Sequence, residues 1–171
     1  MKTLRLLLGD QLNSEHSWFD EVNPDVVYVM AEMRQETDYV KHHIQKVVAF
    51  FLSMRNFSDE LTKRGHQVVY YKISDSNNPH NLEQLILVLV EEHKIEQFEY
   101  QFPDEYRLDE QLKSICEKLT IPTKAFDSEH FYTFRNELAD CYMFMKFPEF
   151  QKKFKQAVKI AIQEDQNQTN Y

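Results

Sequence analysis

Thr3-Leu4-Arg5-Leu6-Leu7-Leu8-Gly9-Asp10-Gln11-Leu12 carries a mostly apolar run that halts at a glycine. A short apolar run bounded by a turn signal reads as a buried strand. Outward from it, residues 26–31 follow the turn signal Asn23-Pro24-Asp25 and repeat the pattern, as do residues 67–73. Residues 97–101, ended by Pro103, and 123–126 complete a set of five. Between them lie stretches of helical period. In residues 39–64, Tyr39, His43, Val47, Phe50, Phe51, Met54, Phe57 and Leu61 recur at steps of three and four. Thr37 or Asp38 is placed to cap that helix, and Gly65 to end it in the left-handed conformation. Residues 80–93 and 105–118 form two more helices. Alternating strand and helix with near-continuous apolar strands predicts an α/β fold. The expected architecture is a Rossmann-like, doubly wound, parallel five-stranded sheet with helices on both faces.

The chain has 171 residues, enough to bury a core without staples. It predicts one α/β domain over 1–135 and an appended helical tail over 136–171. The tail is dense in aromatics (Phe144, Phe147, Phe150, Phe154) and ends in a polar, fraying stretch at 163–170. Its aromatics suit packing back on the domain, or against a partner chain. A net charge of −8 leaves no electrostatic footprint for nucleic acid. Two cysteines exclude a disulfide scaffold or a four-thiolate metal site within the chain. No apolar run approaches a membrane span, and a secretory leader is not recognisable, so a cytoplasmic protein is expected.

Ligands of open α/β sheets sit outside the carboxyl ends of the strands. Three polar segments emerge there: 9–12, 32–39 and 74–78. Gly9 offers close backbone approach to a flat ring, while Asp10 and Gln11 offer an acceptor and an amide to its polar edge. Glu32 and Glu36 sit after the second strand, beside Arg34 and Tyr39. The same residues also fit a tight turn and ordinary helix capping. The glycine-rich phosphate loops of dinucleotide- and triphosphate-binding proteins are missing. Adjacent His42 and His43 point about 100° apart on a helix and cannot readily share a metal. His43, on the apolar stripe, reads as a core or pocket histidine. Cys116 reads as core. The residues alone thus reach a small-molecule pocket and no reaction.

Four blocks in order carry a family resemblance. Leu7-Leu8-Gly9-Asp10-Gln11-Leu12 resembles the N-terminus of the deoxyribodipyrimidine photolyase-related proteins, the bacterial cryptochrome/photolyase group with an iron–sulfur cluster. Residues 36–46 (Glu36-Thr37-Asp38-Tyr39-Val40-Lys41-His42-His43-Ile44-Gln45-Lys46) are similar to that family's second signature. Residues 50–57, followed by Glu60-Leu61, continue it, and Pro103-Asp104-Glu105-Tyr106-Arg107-Leu108 resembles the segment after the fourth strand. The resemblance is carried over about 3–135 and fades beyond.

The resemblance implies an antenna domain of the kind found in bacterial (6-4) photolyases, which serve light-dependent DNA repair. Such a domain binds 6,7-dimethyl-8-ribityllumazine, which passes excitation to a flavin. The matching positions are Gly9, Asp10, Gln11, Glu32, Glu36, Tyr39, His43 and Phe50. Glu36 would hydrogen-bond the ring and Tyr39 would pack near it. Phe50 is larger than the residue usual at its position, and Ala31 stands where some members have a cysteine. The family's FAD, tryptophan chain, lesion pocket and four cluster cysteines belong to a C-terminal helical domain. With Trp18 as its one tryptophan and two cysteines, this chain is not expected to hold FAD or the cluster. The implied partners are the chromophore, a separate FAD-binding photolyase domain, or a second copy through the aromatic tail, with no direct nucleic acid and no membrane. Three rivals remain: a regulatory or interaction domain with an empty pocket, a subunit of a split photolyase, and a small nucleotide-handling enzyme using Asp10 and Glu36.

Overall fold

The computed structural model describes residues 1–34 and 43–130. Five strands form one sheet: β1 (Thr3–Leu6), β2 (Val26–Ala31), β3 (Gln67–Tyr71), β4 (Gln97–Gln101) and β5 (Thr123–Phe126). Their order is β3-β2-β1-β4-β5, and every pairing is parallel. Leu4 lies between Val27 and Phe98 in register. Among the described residues three helices cross over: α1 (Ile44–Lys63), α2 (Leu82–His93) and α3 (Tyr106–Lys118). The fold is the expected Rossmann-like α/β sandwich, with the strand order turning at β1.

Side-chain alternation along the strands divides the core into two layers. Leu4, Leu6, Val27, Val29 and Phe98 face α2 and α3, against Leu85, Ile86, Leu89, Leu112 and Ile115. Leu7, Tyr28 and Met30 face α1 and a 3-10 turn at Ser17–Phe19, against Phe51, Met54, Phe57 and Leu61. Arg5 lies on this second face. It donates to Glu99 (Nε–Oε2 2.8 Å) and stacks over the Trp18 ring at 4.8 Å.

The strands stop where side chains capture the next backbone donors. Leu7 N still reaches Val29 O, but Leu8 N is taken by Gln11 Oε1 at 3.0 Å, so β1 ends short of Leu8. Beyond Tyr71, Lys72 N goes to Asp75 and Ile73 N to Glu32, which ends β3 before Ile73. The long helix starts at Ile44, not at 39. Its cap is His43, extended at φ −62° and ψ 137°, whose Nδ1 accepts from Gln45 N. His43 is therefore an exposed cap and not a core or pocket histidine. Gly65 ends the helix at φ +96°, as expected, with His66 N bonded back to Leu61 O. Thr37, Asp38, the tail at 136–171 and the boundary at 135 lie outside the described residues.

Among the described residues no helix is long and apolar enough to cross a membrane.

Candidate functional site at the carboxyl edge of the sheet

Because all five strands run the same way, the segments after β1, β2 and β3 emerge on one edge. Glu32 follows β2 and is fully buried. Its Oε1 accepts from Arg55 Nε (2.6 Å) and the Tyr70 hydroxyl (2.8 Å), and its Oε2 from Arg55 Nη2 (2.9 Å) and Ile73 N (2.9 Å). Burial pushes the Glu32 carboxyl upward, but the Arg55, Ile73 and Tyr70 hydrogen bonds together outweigh it and hold the group below its ordinary range. Burial and the neighbouring carboxylate push the Tyr70 phenol up. Asn78 Nδ2 donates to Glu32 O and Lys72 O, tying the loop after β3 to the end of β2. Two of the three expected segments thus meet, but they meet around Glu32 itself. With four donors on two oxygens the carboxylate has no capacity left for a ligand.

Gln11 is likewise spent. Its Oε1 holds Leu8 N, and its Nε2 donates to Gln101 O and Phe102 O at 3.3 and 3.4 Å. The expected ligand amide is a staple between the ends of β1 and β4. Asp10 feels the charges of Asp104 and Glu105, after β4, and of His130, after β5. Partial desolvation and the two carboxylates raise its pKa, opposed by a backbone hydrogen bond and His130. Asp10 stays exposed, and Asp104 pairs with His130 at 3.6 Å. Glu36 and Tyr39 lie outside the described residues.

Between these polar groups is a small cavity of about 20 Å³, lined by Leu6, Leu7, Leu8, Gly9, Ala31, Met33, Phe50, Met54, Leu82 and Leu108. It holds a single water at most. None of its lining side chains carries a hydrogen-bonding head group. The Phe50 ring lies against Gly9. A Cβ added at Gly9 would collide with Phe50 Cζ and sit 2.7 Å from Cε1 and 2.9 Å from Met54 Sδ. Gly9 does not adopt a positive φ, so the missing side chain serves close approach and not a turn. The sequence predicts a flat ring on Gly9, and the ring found there belongs to the chain.

Arg55 and Tyr70 are the side chains that sequence reasoning missed in this role. An arginine inside an amphipathic helix carries no sign of the carboxylate it will meet, and the pair Tyr70-Tyr71 reads first as core, with one of the two suited to line a pocket. Among the described residues no group of three His, Cys, Asp or Glu is placed to hold a metal.

Residues 5–168 match the family model described as deoxyribodipyrimidine photo-lyase-related protein. The chain belongs to this family. The match runs through the aromatic tail, past the point near 135 where the residues alone stop carrying it. The chain is also similar to a (6-4) photolyase from Agrobacterium fabrum (strain C58 / ATCC 33970), 39% identical over 80 residues. That stretch covers 46% of this chain and 16% of the relative.

A ribityllumazine is the group the family resemblance implies. Ligand pockets for molecules of that size run to roughly 300 Å³ or more. With Phe50 on Gly9, and with Gln11 and Glu32 committed internally, the cavity between the described residues of this edge is smaller than that.

Proposed function

We propose that this chain is the antenna-type α/β module of a photolyase-related protein and serves light-dependent DNA repair, with catalysis assigned to a FAD-bearing domain. The ligand class assigned to its carboxyl edge is a planar heterocycle of the ribityllumazine type. The observation that carries this reading is the Gly9–Phe50 contact. At the strand end where such sheets bind ligands, the backbone is bared to an aromatic ring. Apolar groups and the backbone of Gly9 suit the face of a heterocycle, whereas a phosphate would need free donors. The similarity to a (6-4) photolyase supports the repair context.

The test is to purify the full chain, add 6,7-dimethyl-8-ribityllumazine and pass the mixture over a sizing column. Co-elution of a near-ultraviolet or violet band with the protein is the expected result. Failure to retain the compound at any concentration removes the antenna assignment.

A second reading, an interaction domain with a closed pocket, is favoured by the apolar stripe Ile44, Val48 and Leu52 on α1. These residues are 67%, 47% and 49% exposed at i, i+4 and i+8. Sedimentation of the wild type and of Val48→Asp separates the two: self-association lost in the variant, from a protein that binds no chromophore, favours it.

A further inference from the structure

We propose that the Phe50 ring is an internal occupant of the planar-ligand seat on Gly9, and that its displacement sets the affinity and selectivity of that seat. This rests on the reading of the carboxyl edge as a ring site.

Three observations support it. The contact with Gly9 is closer than any side chain at that position would permit, so glycine here makes room for Phe50. Phe50 is only half-buried, unlike Phe51 and Met54 on the same helix, so moving its side chain disturbs less of the core than moving theirs. Its neighbours are soft: Met33 and Met54 line the cavity with it, and unbranched thioethers repack at low cost. Swinging the ring outward would bare an apolar floor of Leu8, Gly9, Met33 and Met54. The polar residues nearby would not move, because Gln11 and Glu32 are held by the fold. The opened seat therefore selects a flat, largely uncharged heteroaromatic face and rejects phosphates.

A ligand that binds only the open form has its apparent affinity reduced by the fraction of molecules that are open. A minor state populated at about 0.1–10% weakens binding by roughly 10- to 1000-fold, and deleting the ring recovers that factor.

The experiment titrates 6,7-dimethyl-8-ribityllumazine by fluorescence into the full-length wild type, Phe50→Ala, Phe50→Leu, and Gly9→Ala combined with Phe50→Ala. Expected is a Kd at least about tenfold lower in Phe50→Ala than in wild type, an intermediate value in Phe50→Leu, and loss of the gain when a Cβ is added at Gly9. Phe50→Leu carries the test if circular dichroism shows that Phe50→Ala fails to fold. In wild type labelled with 4-fluorophenylalanine, the Phe50 resonance, identified by its loss in Phe50→Leu, should move when ligand binds. Equal affinity in wild type and both variants, or an unmoved resonance with ligand bound, overturns the displacement while the ring-site reading stands. Binding by none of the proteins overturns that reading and the displacement with it.

Discussion

Arg55 of α1 grips the buried carboxylate of Glu32 with two parallel hydrogen bonds, Nε to Oε1 at 2.6 Å and Nη2 to Oε2 at 2.9 Å. The pair joins the end of β2 to the covering helix, and Tyr70 OH and Ile73 N complete the shell. Removing one member of a buried pair leaves an uncompensated charge and costs about 3–5 kcal/mol. Arg55 is itself 37% exposed, which puts Arg55→Met at the lower end, about 3 kcal/mol. Urea denaturation measures it, and a loss under about 1 kcal/mol would mean that water already screens the pair.

The pH dependence of stability has two windows. Glu32 is held below its ordinary 4.5 in the fold, so its contribution is complete above about pH 4.5 and is lost as pH falls through the folded value. Glu129 is also held below its ordinary value and adds to the same window: burial raises it, but hydrogen bonds from Ser17 prevail. His66 is held below 6.5 by burial, reinforced by the charges of Arg64 and Arg5 and opposed by a hydrogen bond to the Phe19 backbone. The unfolded chain then takes up that proton first, and stability falls as pH drops below about 6.5. His66→Phe should flatten the slope between pH 6.5 and 5 and leave the acid window in place. Denaturation midpoints collected across pH show whether the slope survives the substitution.

Gly9→Ala should destabilise the fold by about 1–3 kcal/mol, the usual range for overpacking. The cost arises at one contact, so it should shrink when Phe50 is already alanine. A double-mutant cycle should return a coupling above about 0.5 kcal/mol. Strict additivity would show that the two residues do not press on one another.

Gln11→Ala removes the hydrogen bonds that Leu8 N and the Gln101 and Phe102 carbonyls make with this amide. Unsatisfied buried groups cost about 1–3 kcal/mol, so the melting temperature should fall. Ribityllumazine affinity per folded molecule should stay the same, since this amide does not face the seat. A selective loss of affinity with unchanged stability would return Gln11 to the ligand.

Much of this was legible in the residues themselves. Runs such as Val-Val-Tyr-Val-Met-Ala at 26–31, short, β-branched and bounded by turn signals, suit strands covered on both faces. Gly65 after Lys63-Arg64 announced the end of α1. The start of that helix was less readable, because several polar residues compete to cap it and His43 takes the role through its ring nitrogen. Nor does anything in the sequence mark Lys94, which closes α2 at φ +51° without a glycine.

The amino-acid order by itself determined the alternating elements, the parallel sheet, the family and the edge on which a site belongs. Hydrophobic periodicity and turn chemistry are local, and they are written along the chain. Only the tertiary structure decided how that edge is used. Whether Glu32 faces a ligand or Arg55, whether Gln11 reads a ring or staples two strands, and whose ring rests on Gly9 depend on groups 23, 90 and 41 positions away. A buried polar group must satisfy its hydrogen bonds wherever the fold offers partners, and sequence spacing does not say which partner arrives first.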